Sequence, residues 1–304
     1  MAAQQERPRH GSADNDILKL HRRTMVLDGR VFTVLTLRPG DDFRFATNRY
    51  HDTWHVLSDW RGARVSARLL WGLSYQRRPG TLVVIDPAHL DPNPFDAAPS
   101  DPIVLVPSDL TVFTAASAAA LRARLPLRDR SQGTVRWQTF GLKPALARRR
   151  ERDSPESGTT ASHYVAKPVG WTRIDRVGGT LAIYGGSEQL REWAINLERL
   201  GEYARDGMDY LYLDYPEVDG EVQIFRQYRR KVSIARQARA EITVRLREAG
   251  TGADTAVRHG RRRRTRDGGG GPVIAPADLD HAIHAHAVTV RRRRSPTPAR
   301  TADD

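Results

Sequence analysis

The alternation of apolar and polar positions is sharpest between residues 177 and 248. Thr180, Leu181, Ala182, Ile183 and Tyr184 form a short apolar run closed by Gly185 and Gly186, and Ser187 stands where a helix N-cap is expected. Leu190, Trp193, Ala194, Leu197, Leu200 and Gly201 then recur at three- and four-residue spacing. Glu188, Arg191, Glu192, Glu198 and Arg199 fall on the other faces, so the segment predicts an amphipathic helix. From Met208 to Tyr215 tyrosine alternates with leucine, and the strand-helix-strand order predicts a parallel or mixed sheet. Asp219-Gly220 signals a brief hairpin, after which the heptad spacing of Phe225, Tyr228, Val232, Ala235, Ile242 and Leu246 predicts a helix from Arg226 to Glu248.

Upstream, Thr24 to Leu27, Asp28-Gly29 and Arg30 to Leu37 read as a tight hairpin, because Asp-Gly adopts the positive φ angles of a type I′ turn. Phe43 to Ala46 suggests a third strand. Tyr50, Trp54, Leu57 and Trp60 recur at helical spacing and predict a short helix with His51 and His55 on its flank, with a strand as the alternative. A helix over Ala63 to Arg77, a strand buried on both faces over Leu82 to Ile85, and a long proline-rich loop over Asp86 to Pro102 follow. Val104 to Val106 reads as a strand, Ala115 to Arg124 as a helix, and the alternation at Val135, Trp137 and Thr139 as a half-exposed strand. Trp171 to Ile174, Gly178-Gly179 and the run at 181 suggest another hairpin.

The fold class expected from these elements is α+β or mixed α/β, a hairpin-led sheet with packed amphipathic helices. Residues 1–20 read as a polar, disordered leader, 21–146 as an N-terminal α/β unit, and 147–162 as a charged, turn-rich linker. Residues 163–248 read as a C-terminal α/β unit and 249–304 as a disordered basic tail. Whether the two units share one core stays open at this level.

Composition adds an electrostatic expectation. The formal charge is +13, almost all of it carried by arginine, a skew that GC-rich coding produces. Residues 249–304 hold eleven arginines against six aspartates, so the excess is spread along the chain rather than confined to its end. An acidic partner, protein or nucleic acid, is therefore expected, with Arg261, Arg262, Arg263, Arg264, Arg291, Arg292, Arg293 and Arg294 as contacts to phosphates or carboxylates. The absence of cysteine excludes a disulfide-linked partner and a thiolate metal ligand, and fits a reducing cytoplasm. No apolar run reaches membrane-spanning length.

Four stretches carry candidate chemistry. On a helix, His51 and His55 would share one metal and Asp52 would act as general base. This resembles the zinc-metalloprotease motif His-Glu-x-x-His, with Asp52 in place of glutamate; Asp59 is a possible third ligand, since Ser58 and Arg61 occupy the extended motif's glycine and ligand positions. Asp86-Pro87-Ala88-His89-Leu90, beyond the end of a buried strand, resembles the opening of zinc-dependent cell-wall amidases. That resemblance implies His89 as a ligand with Asp86 beside it and His163 as the later histidine; Ala88 and Leu90 replace the family's glycines. Gly185-Gly186-Ser187 before a helix offers free N–H groups to a phosphate, without the spacing of a nucleotide fingerprint. In the tail, His281, His284 and His286 with Asp278 and Asp280 have metal-ligating chemistry.

The leading expectation is a non-catalytic interaction or regulatory protein that engages an acidic partner through arginine. The alternative is a metal-dependent hydrolase built on His51, His55, Asp86 and His89. No cofactor is specified by the sequence.

Overall fold

The computed structural model describes residues 17–153, 171–200, 208–213, 219–259 and 276–294, which divide between two compact units. The first unit comprises residues 1–91 and 100–227. Its larger sheet holds β1 (Ile17–Leu27), β2 (Arg30–Thr36), β5 (Thr81–Ile85), β6 (Ile103–Pro107), β7 (Gly133–Gln138), β8 (Arg173–Val177) and β9 (Thr180–Gly185), in the order β7-β1-β2-β5-β6-β9-β8. Its smaller sheet holds β3 (Phe45–Tyr50), β4 (Thr53–Ser58), β10 (Met208–Tyr212) and β11 (Gly220–Phe225), in the order β10-β11-β4-β3. Both sheets are mixed: β2 runs parallel to β5 and β6 to β9, whereas β1 and β2 are antiparallel, as are β5 and β6. The mixed α/β expectation thus holds.

The hairpin of β1 and β2 forms where Asp28 and Gly29 both take positive φ, 51° and 71°. The β8-β9 hairpin turns in the same way at Gly178 and Gly179. Every residue of β5 is buried, since both faces of the sheet are covered. On one face Phe32, Val34, Leu82, Val84 and Val104 pack with Ala118 and Leu121 of α2 (Ala115–Arg122). On the other, Leu35, Val83, Leu105 and Ile183 join a cluster with α1 (Trp60–Ser74), α4 (Ser187–Arg199) and the inner residues Val56, Val222 and Ile224 of the smaller sheet.

Two expectations need correction here. The strands flanking α4 do not share a sheet: β9 lies in the larger one, and β10 pairs antiparallel with β11 in the smaller. Tyr210 and Tyr212 put a polar-tipped face opposite Leu211 and Leu213, and this half-buried pattern suits the smaller sheet better than the fully buried interior of the larger. Arg148 to Arg152 belongs to α3 (Leu142–Arg152), whose Leu142, Ala145 and Leu146 are buried, rather than opening a linker. Arg149 pairs there with Glu192 of α4 at 2.6 Å. Strands from both sides of residues 147–162 lie in one sheet, because β6 pairs with β9.

The absent side chain of Gly72 in α1 makes room for the Trp137 indole, whose Nε1 donates to Arg68 O at 3.0 Å. A Cβ at Gly72 would stand 2.3 Å from that nitrogen. Overpacking of this kind costs about 1–3 kcal/mol, while alanine's better helix propensity returns about 1 kcal/mol. Gly72→Ala should therefore unfold at a lower urea midpoint than the parent protein.

The second unit comprises residues 92–99 and 228–304. Within it α5 (Tyr228–His259) packs on α6 (Pro276–Arg294) through Ile234, Ala238, Ile283 and Val290. Arg294 lies beside Ser233 and His286 beside Glu241, so the two helices run antiparallel. The short segment 92–99 is folded by its own side chains: Asn93 Oδ1 accepts from Phe95 N and Asp96 Oδ1 from Ala98 N. Arg239 holds it to the helices, donating to Asp96 O and to Asp280, each at 3.0 Å.

Candidate functional site

The helix expected over residues 50–60 is replaced by the β3-β4 hairpin and the start of α1. His51 and Asp52 form its two-residue turn with φ of 48° and 64°, closed by the cross-strand pairs Tyr50–Thr53 and Arg49–Trp54. His51 and Asp52 are exposed at the tip, where Asp52 lies 3.2 Å from Arg49, while His55 is buried in β4. The helical spacing on which the metalloprotease likeness rests is therefore not present. Asp59 caps α1, accepting from Arg61 N and Gly62 N at 3.0 Å. His163 lies outside the described residues. Among the described residues, no three His, Cys, Asp or Glu side chains are grouped as a metal would need.

Strand register instead places His55 in a polar row across the smaller sheet. Asn48 is the cross-strand partner of His55, His55 of Glu221, and Glu221 of Tyr212. His55 Nδ1 lies 2.9 Å from Asn48 Oδ1 and its Nε2 lies 3.4 Å from Glu221 Oε2. Gln223 Nε2 donates to the other Glu221 oxygen at 3.0 Å. Both ring nitrogens face an oxygen, one from each neighbouring strand. Burial, then the Glu221 charge, then Tyr210 push the Tyr212 hydroxyl above its ordinary range. The row fixes the register of four strands, because a one-residue slip of any strand would move its polar member to the apolar inner face.

Asp86 and His89 do come together. Asp86 caps a single 3-10 turn, Pro87–His89, by accepting from Ala88 N at 3.0 Å. His89 is 2% exposed; its Nδ1 stands 3.6 Å from Asp86 Oδ1 and its Nε2 3.2 Å from Arg38 O. These residues lie just past the carboxyl ends of the parallel strands β2 and β5. Asp41, on the same loop as Arg38, has its carboxyl raised by burial, against the opposing effects of the Arg38 N–H and of the Arg38, His89 and His21 charges. A raised folded value means that the folded state holds this proton more tightly. Its stabilising effect is full below the ordinary carboxylate range and is lost as pH rises through the raised value. Asp41→Asn should flatten that part of a stability-versus-pH curve; an unaltered slope would assign it to other groups.

At Gly185-Gly186-Ser187 the cap is Gly186 rather than Ser187, and the anion position is already filled. Ser187 N donates to Asp109 Oδ2 at 2.7 Å, so a carboxylate of this chain neutralises the positive end of α4.

The arginines of α6 are brought against a second set of cations. Arg229, Arg230 and Lys231 open α5, whose first turn contains no acidic residue, and Arg291, Arg292, Arg293 and Arg294 close α6. Arg294 Nη1 donates to Ser233 Oγ at 3.0 Å, and Arg230 Nη2 reaches Arg294 O at 3.4 Å. Arg293 lies 3.6 Å from Glu241, which also accepts from His286 at 2.6 Å. Burial, followed by the Arg291 charge, lowers the Lys231 ammonium from its ordinary range. Arg261, Arg262, Arg263 and Arg264 lie outside the described residues. His281 and His284 are exposed on α6, and His284 stacks edge-on against Phe95 with centroids 6.0 Å apart.

No family model matches the chain, and no characterised protein or solved structure matches it either. Among the described residues no helix is long and apolar enough to cross a membrane.

Proposed function

We propose that the protein is an interaction protein that binds a polyanion, with nucleic acid as the best-fitting partner, through the basic end of the α5-α6 pair. The carrying observation is the placement of Arg229, Arg230 and Lys231 in the first turn of α5, beside the four terminal arginines of α6. Cations at the end of α6 are favoured by the helix dipole, but cations at the start of α5 are opposed by it and repel their neighbours. A polyanion lying against both sets would turn the unfavourable placement at the start of α5 into a favourable one. Phosphates would take both sets of side chains.

Contacts of this kind supply affinity and orientation rather than a sequence preference. A cytoplasmic setting goes with the proposal, and the lack of cysteine is compatible with it. An acidic protein would engage the same cations. Binding of the full chain to a mixed-sequence duplex, to a single strand and to polyglutamate across a salt series tests the reading. The proposal expects saturable duplex binding with a steep salt dependence, and polyglutamate binding as tight as duplex binding would transfer the role to an acidic protein.

A further inference from the structure

We infer that the cleft beside β7, in the first unit, is a binding site for a nucleotide, taken either free or as one unit of a single strand. The cleft has a volume of about 660 Å³, within the usual range of small-molecule sites. Arg22, on the same sheet face as Leu35, Val135 and Trp137, and Arg78, after α1, line it, and no acidic residue does. Both arginines are exposed and make no ion pair among the described residues. Arg136 also borders the cleft, but from the alternate face of the edge strand β7. Two arginines in a cleft without a carboxylate offer the charge and forked donor geometry that phosphate oxygens accept.

The aromatic lining specifies the rest of the ligand. Phe140 is 93% exposed and Tyr75 54%, and both border the cleft. The phenyl ring of Phe140 is presented outward by an anchored backbone. Its carbonyl accepts from Trp71 Nε1 at 3.0 Å, and Gly141 turns the chain at once into α3 with φ of 91°. The Tyr75 ring is already covered by the Arg191 guanidinium, 5.4 Å from its centroid, so Phe140 supplies the open stacking ring, and with Arg22 and Arg78 it gives the ring and cations that a base and its phosphates require together.

The test titrates the full-length protein with ATP, tripolyphosphate, adenosine and a ten-residue oligothymidylate at constant ionic strength. ATP should bind at least tenfold more tightly than tripolyphosphate or adenosine. Phe140→Ala, at a position too exposed to support the core, should weaken ATP about tenfold through lost stacking and leave tripolyphosphate unchanged. Arg78→Ala should weaken both. Oligothymidylate binding more tightly than ATP, with the same response to both variants, would mark the strand as the source; the reverse order would mark the free nucleotide. Equal affinity for ATP and tripolyphosphate with no effect of Phe140→Ala, or no saturable binding of any probe, would overturn the proposal. The same titrations with Arg291, Arg292 and Arg294 replaced should give unchanged ATP affinity, which separates this site from the α5-α6 end.

Discussion

Replacement of Arg291, Arg292 and Arg294 by alanine should reduce the salt dependence of duplex binding by about three units in the slope of log K against log salt, at roughly 0.9 per lost phosphate contact. Affinity near physiological salt should fall at least tenfold, uniformly across duplex sequences, as expected for backbone contacts. Arg293 is retained because it lies 3.6 Å from Glu241, within the packed pair. Alanine preserves the helix, and Ile283 and Val290 keep α6 seated on α5. Circular dichroism of the variant should therefore match the parent. A variant with normal helicity and an unchanged slope would remove these side chains from the interface.

The second large effect concerns the polar row of the smaller sheet. His55→Ala leaves the Glu221 carboxylate buried without the imidazole, and breaking a buried pair from one side costs about 3–5 kcal/mol. The bond from Gln223 Nε2 to Glu221 remains, so a loss of about 3 kcal/mol is expected in urea unfolding. Joint replacement by His55→Leu and Glu221→Met should recover most of it, because an apolar pair of similar volume carries no unpaired charge. A loss below about 1 kcal/mol for His55→Ala would show that the row does not hold the strands together.

The fold was most legible where local chemistry and burial agree. Asp28-Gly29 defines the first hairpin because both residues accept positive φ, and the stripe from Leu190 to Leu197 marks α4 because those side chains are the buried ones. Residues 50–60 misled because Tyr50, Trp54, Leu57 and Trp60 satisfy helical spacing by coincidence. Val56 and Leu57, on opposite strand faces, are both buried, so β4 shows no alternation that would mark it as a strand. His51-Asp52 also turns the chain without the glycine or asparagine that announces such a turn. In α6 only Leu279, Ile283, Ala287 and Val290 form the seated stripe, and alanine-rich intervals hide its period.

The candidate sites were less legible because their partners come from distant strands and helices. His55 was readable as a residue with chemistry, but Glu221 reaches it only through the parallel pairing of β4 with β11. The arginine run at 291–294 was visible directly. Its meeting with Arg229, Arg230 and Lys231 depends on the antiparallel packing of α5 and α6, which no local pattern encodes. The cleft beside β7 brings Arg22, Arg78 and Phe140 from three separate segments, none of which stands out alone.

The chain contains no cysteine, so a single introduced thiol can be labelled uniquely. Ser233 is exposed beside Arg294 in the second unit, and Ala116 is exposed on α2 in the first. The most direct measurement attaches an environment-sensitive fluorophore to Ser233→Cys in one sample and to Ala116→Cys in another, then titrates each full-length protein with a mixed-sequence duplex. The proposal predicts a saturable change at 233 that salt reverses in parallel with binding, and an unchanged signal at 116. A complex that forms while 233 stays silent would contradict it.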